Sequence, residues 1–524
     1  MNSKLIHKIG LVLDQNKISV YEVDFIKSCQ SDPNLDINLI LIKNTKNFQL
    51  KVSGISWKIL LLFEKVRLYF SSFSSHFQKN TLEQTKGLEN IPSFCFQPHL
   101  SHQLKKQNFH YIVSFDYCKN LLAIRNAADA DLIFFYKQFS NLSNSLIGFD
   151  EIIKKDPRSY FSIISIKKRT NNLKIIFEGS FLSSLYFSAN QANIFFRRNY
   201  YLLQILRNTP QEACMHGNDF PLSFHELNNI ARIPPFSLQL LYLKNITQSF
   251  LSILLARFLE RKVTWSVFYT REKWNNINSI NDSAISNPEN GYLADPFIID
   301  EFGRSFVFVE RVDFIDNKGK ISVYEIGDFK PKDLGVIIEE NFHLSYPFVF
   351  RDGENLYLVP ESSKNNDIRL YECESFPTKW RLRSIILDNV SAADTLIFKH
   401  ERKWWLFTNL NPSNTADHCS ELFIFSSNNL TDGDWVPHSK NPIYIDPVMA
   451  RNGGIIFDGE DIYRVSQEQG YGIYGNNINI NKIIGLDDKN YVEKRVAFKT
   501  KNFLNIHHLH TSSSYTVYDK WFIK

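Results

Sequence analysis

The segment Gly291 to Arg311, GYLADPFIIDEFGRSFVFVER, constrains the second half of this chain more than any other feature. Apolar residues alternate on both sides of a turn made of Asp, Glu and Gly, the pattern of a β-hairpin that is entered through an acid. The chain then repeats it. The copies are SYPFVFRDGENLYLVPES (345–362), ADTLIFKHERKWWLFTN (393–409), NGGIIFDGEDIYRVSQ (452–467) and HTSSSYTVYDKWFIK at 510–524. Equivalent positions fall at Asp295, Tyr346, Asp394, Gly453 and about His510, a period of roughly 48 to 59 residues, which is the range of propeller blades. One hairpin cannot bury both of its faces, whereas four-stranded sheets packed radially can. The runs at 320–326, 367–373 and 421–427 supply outer strands. Because the last copy stops at Lys524 with too few strands, VTWSVFYTR (263–271) is expected to close the ring as an outer strand of the terminal blade.

At 524 residues, 44 % hydrophobic and 22 % charged, the composition is that of a globular chain with material for more than one core. A formal charge of +5 without a Lys/Arg block gives nucleic-acid binding no electrostatic footing. Six cysteines without CxxC spacing point to buried free thiols rather than a zinc site or disulfides. The start, MNSKLIHKIGLVLD, reads as a first strand rather than a signal peptide. Charges interrupt the most apolar runs, 57–70 and 240–260, so neither is an integral membrane span and both are expected to pack on protein.

Residues 1–200 read as an α/β domain. Strands at 8–14 and 37–44 flank a helix at 18–30, the signature of a right-handed parallel crossover. Strands resume at 111–116 and 130–136, and SYFSIISIKK with LKIIFEGSF makes a hairpin or a pair of edge strands. No GxGxxG follows the first strand, so dinucleotide binding has no support. Residues 201–261 form a helical connector, with Pro234 and Pro235 opening a helix whose Leu243, Ile246, Phe250, Leu254 and Phe258 make an apolar stripe. It is expected to brace the two domains. The propeller then occupies 262–524, its closing strand included.

Several motifs in that propeller carry a family resemblance: LADPF (293–297), HLSYPFVF (343–350), PES (360–362), RLYECESFPTKW (369–380), ADT (393–395), WWLF (404–407), WVPHSKNP (435–442) and ARNGG (450–454). They resemble the amino-terminal domain of plant glucosamine inositolphosphorylceramide transferases and its bacterial relatives, in which that domain follows a formyltransferase-like domain. Such domains are similar to the five-bladed propellers of family 43 glycoside hydrolases. The resemblance implies that Asp295 matches that family's general base, that Tyr346 stands where it has a modulating Asp, and that Asp394 stands where it has an acid Glu. The N-terminal half looks like a degenerate formyltransferase domain. Phe135 and Tyr136 stand where such an enzyme has its His, and neither can shuttle a proton near neutral pH. Asn141 and Asp150 remain, and both also suit surface or capping roles.

Inner strands of a propeller face one channel, so Asp295, Tyr346, Asp394 and His510 should become neighbours. Glu310, Glu361, Asn409 and Gln467, at the ends of the returning strands, form a second layer. His343 and Arg451 sit within matched motifs, and a buried Arg requires an anionic partner. Convergent carboxylates suit sugar hydroxyls and, at the proper separation, glycosidic acid and base work. Asp also caps turns that lead into strands, which alone would account for Asp295 and Asp394. The site is therefore expected to comprise Asp295, Asp394 and Glu361 as catalytic groups and His343, Tyr346, Glu310, Arg451, Gln467 and His510 as binding groups, with no cofactor or metal. The reading is a cytoplasmic protein of glycoconjugate or surface-polysaccharide assembly that binds, and in one version processes, a carbohydrate. Its rivals are a catalytically silent glycan-binding scaffold and an amino-sugar N-formyltransferase.

Overall fold

The computed structural model describes residues 6–14, 18–42, 52–69, 74–76, 78–80, 87–88, 90–97, 101–115, 120–136, 146–169, 173–207, 233–259, 263–277, 282–413, 415–496 and 505–523. The chain divides into two compact units, Met1–Leu251 and Ser252–Lys524.

In the first unit, seven strands form one sheet in the order Ser93–Cys95, Leu35–Ile42, His7–Asp14, Tyr111–Ser114, Asp131–Tyr136, Arg158–Ile166, Leu173–Leu182. The first five run parallel, and their near-continuous apolar sequences fit strands covered on both faces. The last two form the antiparallel hairpin that the sequence suggested. Helix Val20–Gln30 starts where a capping box allows: the Ser19 hydroxyl accepts from the Glu22 N–H, while the Glu22 carboxylate accepts from the Ser19 N–H. Phe135, at the place of the formyltransferase His, stacks on Phe115 at 5.7 Å with the Arg198 guanidinium over both rings. That position is aromatic core without a proton carrier. Asp150 lies in the first turn of helix Phe149–Lys154, and Asn141 falls outside the described residues.

The two apolar runs, expected to pack on protein, do so along one face only. Both are helical, Val52–Leu68 and Phe236–Phe258, yet the first presents Ile, Leu, Phe and Val side chains to solvent and the second Leu and Phe side chains. Among the described residues no helix is long and apolar enough to cross a membrane. Among the described residues Cys29, Cys95, Cys373 and Cys419 are free thiols; Cys29 and Cys419 are buried as expected, Cys373 is half-buried and Cys95 is exposed.

The second unit is a five-bladed propeller: four sheets of four strands and one of five. Its inner strands, Gly291–Glu301, Ser345–Asp352, Ala392–His400, Asn452–Asp458 and Leu509–Thr511, stand side by side, and the fifth returns to the first. Val263–Thr270 pairs with Thr516–Ile523 over its whole length, so the ring is closed by the strand the sequence nominated. Phe302 and Gly303, both at positive φ, make the two-residue turn of the first hairpin, a geometry whose twist matches that of the strands it joins. Trp404 and Trp405 are buried in the blade core rather than presented to the channel.

One irregularity recurs and positions the site. Pairing slips between Ala294 and Phe297, between Ser345 and Phe348, and between Ala393 and Leu396. At each slip one residue is left-handed: Asp295 (φ 51°), Tyr346 (φ 47°) and Asp394 (φ 48°). Bulges re-aim side chains, and a non-glycine residue in this region, above all Tyr, costs about 1–3 kcal/mol that the surrounding fold must over-determine.

Candidate functional site

The three left-handed residues come from successive blades and share a neighbourhood. Each returning strand adds the residue opposite the one just before the bulge: Glu310 pairs with Ala294, Glu361 with Ser345 and Asn409 with Ala393. Asn409 is spent on the backbone, donating to the Glu421 and Ala450 carbonyls at 3.0 and 2.9 Å. The two glutamates are not. Glu361 accepts from the Ser363 hydroxyl at 2.6 Å and lies 3.7 Å from Arg451.

Asp394 is buried and held by Arg451 in a bidentate pair, Nε to Oδ2 at 2.6 Å and Nη2 to Oδ1 at 3.2 Å, with the Gln467 amide donating at 2.9 Å. Burial drives its carboxyl upward, and Glu361 and Asp295 add to that, while Arg451 opposes it. A fork of two guanidinium donors plus an amide donor is the partner set of a carboxylate, so we assign Asp394 as ionised. Tyr474 lays its ring over the Arg451 guanidinium at 5.2 Å and keeps 45 % of its surface in solvent, which puts it at the rim.

Asp295 belongs to a different chain of bonds. His507 reaches its Oδ1 from Nε2 at 3.2 Å and the Asp519 Oδ1 from Nδ1 at 2.8 Å. Burial pushes the imidazole down, but Asp519 and Asp295 raise it to about 10, so it stands as an imidazolium between two carboxylates. Burial also pushes Asp295 up, and His507, with Arg451 farther off, holds it below its ordinary value. Its Oδ2 accepts the Tyr346 N–H at 3.2 Å. Among the described residues Asp295, His507 and Asp519 form the one group able to offer a metal three ligand atoms within 4.8 Å of each other. Both ring nitrogens already face acceptors, and the imidazolium supplies the charge that a cation would bring.

Glu310 differs from both aspartates. Burial, Asp295 and Glu361 raise its carboxyl to about 7 against the pull of His343, whose Nε2 lies 2.9 Å away. The Gly319 N–H donates to His343 Nδ1 at 2.9 Å, which fixes the neutral tautomer that donates from Nε2. A side chain at residue 319 would meet that imidazole at 2.8 Å and the Leu344 carbonyl at 2.3 Å, so glycine is required there. The native state thus binds the Glu310 proton more tightly than the unfolded chain does. Stability falls as pH rises from about 4.5 to about 7 and stays reduced above. Glu310→Gln should therefore be more stable than wild type by about 3 kcal/mol at pH 8, with the gap narrowing toward pH 5. Urea melts at the two pH values check this, and a variant less stable at pH 8 contradicts it.

The remaining expected residues are placed as follows. Tyr346 is buried, its ring edge-on to Phe297 and His508. His510 does not occupy the place equivalent to Asp295. Its Nδ1 accepts the Ile298 N–H at 3.3 Å, and burial lowers it to about 3, so it latches the fifth blade to the first as a neutral ring. His507, His508, Asp519 and Tyr474 were not expected at the site. Two residues before Phe297, Phe348, Leu396, Ile455 and Leu509, buried apolar residues of the five inner strands, stand Asp295, Tyr346, Asp394, Gly453 and His507. That offset was the available signal.

Residues 274–511 match the family model described as glucosamine inositolphosphorylceramide transferase 1, N-terminal. Curated proteins of that name are similar: the one from Arabidopsis thaliana is 35 % identical over 215 residues, 40 % of this chain, and the one from Oryza sativa subsp. japonica is 34 % identical over 208 residues, 38 % of it. The aligned part spans 27 % of each relative's length. Solved structures similar to the chain include an α-L-arabinanase of Penicillium chrysogenum complexed with arabinobiose, 13 % identical with a TM-score of 0.32, covering 46 % of this chain and 80 % of that one. The family match starts at residue 274, and the formyltransferase resemblance of the N-terminal half gains no support from these comparisons.

Proposed function

We propose that the propeller mouth binds the sugar portion of a glycoconjugate. One observation carries the reading: Glu310 with His343, Glu361, Asp394 with Arg451, and the half-exposed Tyr474 ring converge at the mouth from four blades. Carboxylates accept from sugar hydroxyls, a guanidinium donates to them, and a tyrosine ring offers a flat apolar face. The matched relatives are named for a transferase acting on a sphingolipid, and a sugar-bearing lipid headgroup is the ligand class that such a name brings. Asp295 and Asp394 are each neutralised by an internal cation, which favours binding over a hydrolytic pair.

A second reading, acid catalysis within the same mouth, rests on Glu310 alone. Its carboxyl titrates near neutrality beside an ionised Asp295, a division that assigns acid and base roles. A glycan array followed by calorimetry tests both. Glu361→Ala should weaken the best array ligand at least about tenfold, the loss of one charge-assisted hydrogen bond, without moving the melting temperature. If Glu361→Ala and Tyr474→Ala both bind like wild type, the mouth is not the site. Turnover of that ligand abolished in Glu310→Gln with binding retained selects the catalytic reading.

A further inference from the structure

The helices Val52–Leu68 and Phe236–Phe258 carry apolar surface on the side that faces away from the core. On the first, Gly54, Trp57, Glu64 and Leu68 are buried along one line. On the opposite line Ile55, Ile59, Leu62, Phe63 and Val66 are each 53–63 % exposed. On the second, up to Leu251, Gln239, Tyr242 and Ile246 are buried while Leu240, Leu243, Phe250 and Leu251 are exposed. The helices are tied within the same unit: the Ser56 hydroxyl donates to Gln239 Oε1 at 2.6 Å, and the Tyr242 hydroxyl donates to Glu64. Exposed apolar surface on this scale marks an interaction face.

Its charges decide what covers it. The exposed ionic side chains of this stretch are Lys58, Lys65 and Lys244, all cationic. Glu64, the single acid in the two helices, is buried beneath Tyr242. A second copy docked face to face would bring lysine against lysine. An apolar face edged by lysines and lacking an exposed carboxylate matches the boundary between acyl chains and anionic headgroups, where lysine stems lie along the apolar surface and their ammonium groups reach the phosphates. Neither helix meets the requirement for a span. We infer that these two helices lay the Met1–Leu251 unit on the surface of a bilayer containing anionic lipid.

Co-sedimentation of the full chain with phosphatidylcholine vesicles, with and without phosphatidylglycerol, tests this. The chain should sediment with the anionic vesicles and bind neutral ones at least about tenfold more weakly, the preference fading at high salt. Ile59→Asn/Leu62→Asn/Phe63→Asn removes apolar contact at exposed positions and should cut vesicle binding at least about tenfold with an unchanged melting temperature. Lys58→Gln/Lys65→Gln should erase the preference for phosphatidylglycerol. No sedimentation with either vesicle, or equal binding by wild type and the triple variant, overturns the inference. So does a dimer in sedimentation equilibrium that the triple variant dissociates, since the face then belongs to a second copy.

Discussion

Arg451→Met will lower the unfolding free energy by about 3–5 kcal/mol, the usual cost of removing one partner of a buried ion pair. The guanidinium supplies two of the three side-chain donors to the Asp394 carboxylate and is itself nearly enclosed, with Glu361, Tyr474 and the Cys419 sulfur also beside it. Methionine fills much of the same volume, so the loss measures the charge left behind rather than a cavity. Adding Asp394→Asn should recover more than half of the lost stability, because the amide needs no counter-ion and can still bond Gln467. Urea denaturation of the two single variants and the double variant gives the coupling directly. Equal destabilisation in the Arg451→Met single and the double variant would mean that the pair contributes nothing as a pair. Neither variant should bind the array ligand, since the double variant restores the fold and not the charge.

How much of this was legible in the sequence follows from what a repeat records. Alternation and turn chemistry recur in each hairpin, so the five blades, the closing strand at 263–270 and the equivalence of Asp295, Tyr346 and Asp394 were all readable. The left-handed bulge that gives those residues their common direction leaves no mark in composition: Asp tolerates the conformation and Tyr does not, yet both hold it. The partner of Arg451 could be anticipated as an anion, while the choice of Asp394 over Glu361 came from the geometry of neighbouring blades. The fifth copy was misaligned because it lacks the Asp or Gly that marks the first, third and fourth and the matched motif that carries Tyr346 in the second, which hid His507 and Asp519. The helix Val52–Leu68 is apolar nearly all round, and periodicity cannot say which face such a helix buries.

The second large effect comes from that hidden pair. Asp519 accepts the Asp295 N–H at 2.9 Å, the His508 N–H at 3.1 Å and His507 Nδ1 at 2.8 Å, while His507 Nε2 faces Asp295. The His507 ring also lies against Trp265, with centroids 4.0 Å apart, which favours a cation over a neutral ring. Its folded pKa of about 10 lies above the ordinary 6.5, so the stability it contributes is complete below pH 6.5 and is lost as pH rises toward 10. Between pH 7 and 9.5 the wild-type unfolding free energy should fall by about 1.4 kcal/mol per pH unit from this group. His507→Asn should remove that slope and cost about 3–5 kcal/mol at pH 6.5, because it leaves two buried carboxylates facing one amide. Asp519→Asn in the same chain should return part of the loss. Urea melts at half-unit pH steps read both effects. A wild-type profile flat from pH 7 to 9.5 would mean that His507 is neutral in the folded state, and Asp295 would then lack the cation that binds the fifth blade to the first.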